Sequence, residues 1–375
     1  KIIIPPFDDE SIPQFKASEV KSKLEEVNPK KSVPVDDIPP KVIKKFAEEL
    51  SIPLTNLINS SIKQGIWPNM WKQEMVTPVP KIHPPKLLKN LRSISGLMTL
   101  DKVAEKLIAK IMMEDMKDSI DPAQYGNQHG LSTNHYLIKM INKILSDTDT
   151  TEVTAVLATF VDWKDAFPNQ CPRLGIEAFQ KCGVRNALIP VLIDYFIGRS
   201  VIVKWHGTNS KKKYVKGGGP AGGYFGILKY LAQSNESANS ISEHSRFKFV
   251  DDLSALEKIA LLTIGISSHN IKQQVPNDIN KANLFIPPQH LKSQTYLNEI
   301  QKWTENQKMI LNEDKTKYMI FNFSKQQFST RISLKNKHIE EVKEIKLLGT
   351  YITKDLKWNR NTKYLVKKAY SRMEL

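Results

Sequence analysis

Phe249-Val250-Asp251-Asp252-Leu253 is the most informative run of this sequence, because two adjacent carboxylates follow a short apolar stretch. Neighbouring like charges repel each other unless a cation neutralises them, so the doublet is typical of a metal site. On a tight turn between two strands, both aspartates can point toward one place. A solvated turn is the alternative for an Asp-Asp pair taken alone.

An earlier strand supplies a third carboxylate. The run Ala155-Val156-Leu157-Ala158-Thr159-Phe160-Val161 is apolar throughout, which favours a buried strand over an edge strand, and Asp162 follows it. Three aspartates at the ends of neighbouring strands would suit two divalent ions about 4 Å apart, the arrangement of two-metal phosphoryl transfer. The sequence therefore predicts a metal-dependent active site built on Asp162, Asp251 and Asp252.

Composition indicates a globular protein with a polyanionic partner. The chain has 375 residues, 40% of them hydrophobic, which is enough for a packed core. Lys+Arg 55 against Asp+Glu 39 gives a formal net charge of +16, and the excess is spread along the chain. Nucleic acid is the partner that this charge favours, although basic composition alone does not exclude an ordinary soluble protein.

The cysteine count and the lengths of the apolar runs indicate the cellular compartment of the protein. Cys171 and Cys182 are too few for a disulfide framework, which favours a reducing compartment. No apolar run reaches the length of a membrane span, and the first residues lack a secretory signal. We therefore expect an intracellular protein, nuclear or cytoplasmic, without a membrane partner. Because the chain begins without Met, we expect a fragment or an excised domain.

Apolar periodicity predicts helices over residues 18–66, and further helical patterns at 102–111 and 174–198. Residues 75–81 read as an extended stretch broken by proline. Residues 266–296 are polar and punctuated by proline, which predicts an insertion or long loop. The predicted apolar faces of the first helices are Val20, Leu24 and Val27, then Phe46 and Leu50, then Leu54, Leu57, Ile58 and Ile62.

The order of the motifs resembles that of a reverse transcriptase, most closely those of non-LTR (LINE-like) retrotransposons. The motifs that carry the resemblance are the strand before Asp162, Gly218-Gly219-Pro220-Ala221-Gly222, the Phe-Val-Asp-Asp run, Leu311-Asn312-Glu313-Asp314-Lys315-Thr316-Lys317 and Leu347-Leu348-Gly349. Weaker matches precede them at Asp36, Trp67-Pro68, Trp71-Lys72 and Gln124-Tyr125-Gly126. Each match is weak alone, and their colinearity is specific.

The resemblance implies an α+β right-hand polymerase fold. Residues 1–150 would form the fingers with an N-terminal helical extension, and residues 151–358 the palm, an antiparallel sheet plus helices. Residues 359–375 would begin a thumb. The implied activity is RNA-templated DNA synthesis, with an RNA template, a DNA primer or RNA/DNA hybrid, and dNTP as partners.

The resemblance also implies roles for the acidic site. Asp162, Asp251 and Asp252 would hold two Mg²⁺ or Mn²⁺ ions, helped by the backbone carbonyl of Val161. Mg²⁺ prefers a few carboxylates together with substrate oxygens, which agrees with this set. Lys315 would protonate the leaving pyrophosphate as a general acid.

Nucleotide contacts follow from the same resemblance. Lys81 and Arg92 would grip the triphosphate, and two solvated surface cations are the alternative. The turn through Asp165 and Ala166 would offer backbone N–H groups to the triphosphate. The ring of Phe167 would exclude a 2′-hydroxyl, unless it is simply a core residue.

Glycines and the C-terminal segment complete the implied site. Gly219, Ala221 and Gly222 would let the backbone approach template and nucleotide, with a flexible linker as the alternative. The hairpin at Leu348 and Gly349 would grip the primer. Lys363, Lys367 and Lys368 would begin a thumb helix along the duplex, or form a solvated face.

Two departures from the family pattern bear on activity. Ala221 stands where the family has Gln, and Pro168 stands where LINE-like enzymes usually have Asp. A catalytically weakened scaffold that binds RNA is therefore one alternative. An RNA-dependent RNA polymerase is another, since it shares the aspartate chemistry, and Phe167 argues against it.

Overall fold

A computed structural model describes residues 2–31, 37–150, 154–164, 166–220, 222–260 and 283–373. The chain divides into two compact units, the first formed by residues 1–120 and 165–235 and the second by residues 121–164 and 236–375. Helices and largely antiparallel sheets occur in both, which confirms the expected α+β class. No helix of the described ranges has the length and apolar character needed to cross a membrane.

The helices are α1 (Ala17–Glu25), α2 (Pro40–Lys45), α3 (Ala47–Gln64), α4 (Thr99–Met116), α5 (Thr133–Thr148), α6 (Pro172–Lys181), α7 (Ile189–Phe196), α8 (Tyr224–Ser234), α9 (Lys292–Gln307) and α10 (Asn359–Met373). The strands are β1 (Gln73–Pro80), β2 (Leu91–Gly96), β3 (Thr154–Val161), β4 (Ser200–Trp205), β5 (Thr208–Asn209), β6 (Lys213–Tyr214), β7 (Arg246–Phe249), β8 (Asp252–Ala260), β9 (Asn283–Phe285), β10 (Lys317–Phe321), β11 (Gln327–Ser329), β12 (Ser333–Leu334), β13 (Lys337–His338), β14 (Glu340–Glu341), β15 (Glu344–Leu347) and β16 (Thr350–Thr353).

The second unit is organised by a sheet with the strand order β14-β10-β3-β8-β7. Strand β3 lies at its centre, between the antiparallel neighbours β10 and β8, and every residue of β3 is buried. Apolar side chains on both faces of a central strand give the continuous apolar run seen in the sequence. The prediction that this strand is not an edge is therefore confirmed.

Two helices of this unit support the sheet. Helix α5 packs on β3 and β7, and its buried Tyr136 donates a hydrogen bond to Ser254 on β8 at 2.6 Å. Helix α9 begins against β8, where the buried carboxylate of Glu257 accepts the backbone N–H groups of Lys292 (2.8 Å) and Ser293 (2.7 Å). Acceptors are needed there because the first N–H groups of a helix have no partner within it.

The first unit combines a smaller sheet with a helical core. Its sheet has the order β2-β1-β4-β5, with β6 also paired to β4, and β1 runs parallel to β4 and antiparallel to β2. Trp67 is fully buried and lies edge-on to Trp71, Tyr195 and Phe225, with ring centroids 5.4–5.5 Å apart. The Trp67 and Trp71 motif positions are therefore core residues of this unit.

Several expectations about the helical faces need correction. Val20, Leu24, Leu54, Ile58 and Ile62 are buried as predicted. Phe46 is 43% exposed and Leu57 is 42% exposed. Phe46 has left the helical conformation because it lies between α2 and α3, so it does not share a helical face with Leu50.

The structure describes only part of the predicted insertion. Residues 266–282 of the expected insertion lie outside the described residues, and residues 283–296 contain β9, a short 3-10 helix and the start of α9. Residues 121–150 belong to the second unit and residues 165–235 to the first. The assignment of fingers, palm and thumb stays a prediction.

Replacing Glu257 with Ala should lower the free energy of unfolding by about 2 kcal/mol, because two hydrogen bonds to a buried carboxylate are lost. Urea denaturation of the purified chain measures this difference. Glu299→Ala, at an exposed position of α9, is the control and should change the value little. Equal stability of the Glu257 variant and the parent would contradict this account of how α9 is attached.

Candidate active site

Strand register brings the predicted aspartates to one edge of the second unit's sheet. Val161 on β3 pairs with Leu253 on β8, so the adjoining residues Asp162 and Asp252 face each other at the ends of these strands. Asp252 also pairs with Phe249 across the β7–β8 hairpin, which leaves Val250 and Asp251 as a two-residue loop. Three carboxylates therefore lie at neighbouring positions on one edge.

The electrostatics of this edge reflect crowded negative charge. Burial, with the nearby charges of Asp251 and Asp162, raises the pKa of Asp252 to about 6. Burial also raises the pKa of Asp162, and the charge of Asp251 acts in the same direction, while Lys315 and Asn312 oppose it. Each shift means that the ionised carboxylates are held in a place that disfavours their charge. A cation bound there would relieve this repulsion.

The donor set fits a hard divalent cation that keeps open positions. Among the described residues, no group of three or more His, Cys, Asp or Glu side chains is placed so that it could hold a metal ion by itself. Mg²⁺ usually takes only one or two protein carboxylates and completes its shell with water and substrate phosphates, so an open carboxylate edge is compatible with it. Asp162, Asp251 and Asp252 are the side chains that could hold such ions, and Val161 is the buried last residue of β3.

A loop after α9 holds Asp162 in place. The backbone carbonyl of Asp162 accepts the N–H of Asn312 at 2.8 Å, and the Asn312 side-chain amide lies 3.3 Å from Asp162 Oδ1. The buried hydroxyl of Thr316 accepts the Asp162 N–H at 3.3 Å. Lys315 Nζ lies 3.9 Å from Asp162 Oδ2, and its side chain is 68% exposed. The family resemblance implied a role for Lys315 as general acid but gave no role to Asn312 or Thr316.

The tight turn before Asp251 depends on Gln124. Val250 has φ +56°, which is a strained conformation for a β-branched residue. Its N–H donates to Gln124 Oε1 at 2.9 Å, and the same oxygen accepts the N–H of Gly126 at 2.8 Å. A Cβ at Gly126 would lie 2.5 Å from Val250 N. The Gln124-Tyr125-Gly126 motif thus supports the aspartate hairpin, a role that its sequence match did not reveal.

Strand β7 is fixed by a buried ion cluster. Asp121 Oδ2 lies 2.7 Å from Lys248 Nζ, and Asp121 also accepts hydrogen bonds from Arg246. Burial lowers the pKa of Lys248 to about 8, against the opposing charge of Asp121. Backbone bonds from Lys248 to Ala123 and from Tyr125 to Lys248, both 2.8 Å, extend the sheet beyond β7.

The residues predicted to bind nucleotide lie largely in the first unit. Lys81 and Arg92 are both exposed and belong to one hairpin, because Val79 pairs with Arg92 and the Lys81 N–H donates to Asn90. Ala166 is half-buried. Phe167 is half-buried too, and its ring centroid lies 5.3 Å from that of the buried Tyr230. Asp165 and Ala221 lie outside the described residues.

The glycine-rich segment packs closely against its own unit. Gly218 has φ +82°, and a Cβ there would lie 2.9 Å from the carbonyl oxygen of Pro168. A Cβ on Gly222 would lie 2.7 Å from the carbonyl oxygen of Ser95. Gly219 lies over Lys229, whose Nζ would be 3.4 Å from a Cβ. Part of the need for glycine here therefore comes from protein packing.

The C-terminal residues form the elements expected of them. Leu348 and Gly349, with φ values of +47° and +86°, make the two-residue turn of the β15–β16 hairpin. Positive φ at both positions matches the twist of an antiparallel hairpin. Lys363 and Lys367 are exposed on α10. Their contacts with nucleic acid stay predictions.

Residues 79–352, more than half of the chain, match the family model described as "Reverse transcriptase (RNA-dependent DNA polymerase)". The chain belongs to the reverse transcriptase family. This confirms the family that the motif order indicated. The matched residues include Asp162, Asp251, Asp252 and Lys315, whereas Lys363 and Lys367 lie beyond them.

A relative of this reverse transcriptase is a Drosophila melanogaster protein named "Probable RNA-directed DNA polymerase from transposon X-element". The two sequences are 26% identical over 231 residues, which cover 61% of this chain and 25% of the relative. The chain therefore spans about a quarter of the length of the relative that it matches.

Gly126→Ala should lower kcat of the reverse transcriptase reaction by about 100-fold, because the new methyl group displaces Val250 and with it Asp251. Primer-extension kinetics measure kcat, and fluorescence anisotropy should show RNA affinity within about twofold of the parent. Gly130→Ala is the control: it adds the same methyl group at a glycine with φ +76°, where a Cβ would meet no atom within 4 Å. Equal kcat losses in both variants would contradict the contact between Gly126 and Val250 as the cause.

Proposed function

We propose that this chain is the polymerase region of a non-LTR retrotransposon reverse transcriptase, which adds dNTPs to a primer 3′-hydroxyl on an RNA template. The observation that carries the proposal is the register of β3 and β8, with Asp162 opposite Asp252 and Asp251 in the adjoining turn. Family membership supports the same reaction.

Each residue of the edge has a proposed task. Asp162 and Asp251 would be the principal ligands of two Mg²⁺ or Mn²⁺ ions, with Asp252 and the Val161 carbonyl in support. Bound ions would lower the pKa of the primer hydroxyl and neutralise charge on the leaving pyrophosphate. Lys315, exposed and 3.9 Å from Asp162, would donate a proton to the pyrophosphate oxygen.

The remaining sequence predictions extend this proposal to the substrates. Lys81 and Arg92 would bind the triphosphate, and two cations on one hairpin can close on it together. Asp165, Ala166, Gly219, Ala221 and Gly222 would line the nucleotide site. Leu348, Gly349, Lys363 and Lys367 would hold the primer and template. We assign these parts to fingers, palm and thumb, in a nuclear or cytoplasmic protein.

Asp251→Asn should abolish primer extension on poly(rA)/oligo(dT), at least about 1,000-fold, because an amide is a poor ligand for Mg²⁺. RNA affinity should stay nearly unchanged, since it comes mainly from lysines and arginines that neutralise phosphates. Asp118→Asn makes the same chemical change at an exposed position of the first unit and should retain activity.

Retained extension in Asp251→Asn would refute the ligand assignment. A parent chain that binds RNA but never extends a primer would identify the weakened scaffold instead of a polymerase.

Phe167→Ala should raise the use of rNTP relative to dNTP by about tenfold or more, because removal of the ring opens space for a 2′-hydroxyl. The ratio of kcat/KM for the two nucleotides measures the change. Phe167→Tyr keeps the ring beside Tyr230 and should keep the preference for dNTP. An unchanged ratio in the Ala variant would make Phe167 a packing residue, and a parent that already prefers rNTP would be an RNA-dependent RNA polymerase.

A further inference from the structure

A cleft in the first unit shares Gly222 with the proposed nucleotide site, and its other lining residues have no role in the proposed reaction. It has a volume of about 430 Å³ and lies between α1, α4 and the start of α8. Its charged residues are Lys23, Lys31, Lys102, Lys106 and Glu26. Four cations against one carboxylate leave an excess of positive charge in a small space.

Glu26 neutralises only part of this charge. Its carboxylate pairs with Lys23 at 2.5 Å and with Lys106 at 2.6 Å. Within the described part of the chain, neither Lys31 nor Lys102 forms an ion pair. Burial lowers the pKa of Lys102, and the charge of Lys31 acts in the same direction. The charges of Glu105, Asp101 and Asp37 act on Lys102 in the opposite direction, without forming an ion pair with it. Lys31 and Lys102 repel each other, which favours a bound anion between them.

Carboxylates already accept N–H groups at both neighbouring helix starts, which leaves the lysines as the principal anion-binding groups of the cleft. At the start of α4, Asp37 accepts the N–H and hydroxyl of Thr99 at 2.9 and 3.1 Å. At the start of α8, the buried Glu105 accepts the backbone N–H groups of Tyr224 and Phe225. The flexible side chains of Lys31 and Lys102 remain available to a ligand.

The rest of the lining identifies what kind of anion fits. Val27, Leu97, Val103 and Ile227 give the cleft an apolar wall, and the ring of Tyr224 is 40% exposed beside them. Lysines next to an exposed aromatic ring on an apolar surface are the combination that binds single-stranded nucleic acid, through phosphate contacts and base stacking. A free inorganic anion would not need the aromatic and apolar part.

We propose that this cleft binds one nucleotide unit of single-stranded RNA, with Lys31 and Lys102 on its phosphate and Tyr224 against its base. The proposal rests on the proposed function, because the RNA strand would be the template of the polymerase. It adds a template contact outside the residues assigned to the reaction. A dNTP triphosphate is the other source of the same phosphate chemistry, and the experiment separates the two.

The test measures binding of a fluorescein-labelled single-stranded RNA oligonucleotide to the full chain by anisotropy, at several salt concentrations, without dNTP or divalent metal. Lys31→Ala/Lys102→Ala should make the slope of log K against log salt shallower by about 0.7, since both lysines bind the same phosphate and each phosphate contact on a single strand contributes about 0.7. Tyr224→Ala should weaken binding by about tenfold with an unchanged slope, because stacking releases no counter-ions. Thermal melting checks that both variants are folded.

Lys44→Ala/Lys63→Ala removes the same charge from exposed positions of α2 and α3 and should leave the slope within about 0.3 of the parent. An equal loss in this control, or an unchanged slope in Lys31→Ala/Lys102→Ala, would overturn the cleft as an RNA site. A raised KM for dNTP with unchanged RNA affinity would assign the phosphate to the nucleotide and overturn it too. Because binding is read without catalysis, a chain that fails to extend primers still reports on the cleft.

Discussion

Mutual repulsion among Asp162, Asp251 and Asp252 is the constraint around which the second unit is organised. Neighbouring carboxylates tend to separate or take up protons, and the pKa of Asp252 is raised by burial first and then by the charges of Asp251 and Asp162. The surrounding structure opposes separation. A fully buried central strand fixes Asp162, the β7–β8 ladder fixes Asp252, and the short turn between those strands leaves Asp251 no alternative position. The stable sheet thus keeps the three carboxylates close together, where a bound cation would be needed to neutralise them.

Magnitudes explain why the turn needs a partner outside the hairpin. A β-branched residue at φ +56° costs of the order of 1–3 kcal/mol, and a two-stranded hairpin alone is only marginally stable in water. The two hydrogen bonds accepted by Gln124 contribute about 1 kcal/mol each, which is of the same size as the strain. The buried pairing of Asp121 with Arg246 and Lys248 holds the same segment against β7. Residues 121–126 therefore belong physically to the aspartate hairpin, although they are far from it in the chain.

Sequence reasoning succeeded where the signal was local and failed where it was not. An unbroken apolar run predicted the central strand, and the family resemblance implied the hairpin at Leu348-Gly349; each depends on adjacent residues. The role of Gln124 could not be predicted, because its partner Val250 is brought near only by the folded sheet. Trp67 and Lys72 matched family motifs, yet Trp67 donates to Asp101 and Lys72 pairs with Asp194 within the core. A motif position can thus serve the framework instead of the chemistry, and the pattern alone does not distinguish them.

Lys229 and Lys315 show how the surroundings of a side chain separate a framework residue from a candidate catalytic residue. Burial lowers the pKa of Lys229 to about 7, a value suited to proton transfer near neutral pH, and by that criterion it would be the first candidate for a general acid. Its ammonium group, however, is completely buried and donates to the Gly218 carbonyl at 2.7 Å, so proton exchange with water is blocked and its task is to hold the glycine-rich segment. Lys315 is largely exposed beside Asp162. A general acid must reach its substrate and regain its proton from solvent after each turnover, and of these two lysines only Lys315 has the access that this requires.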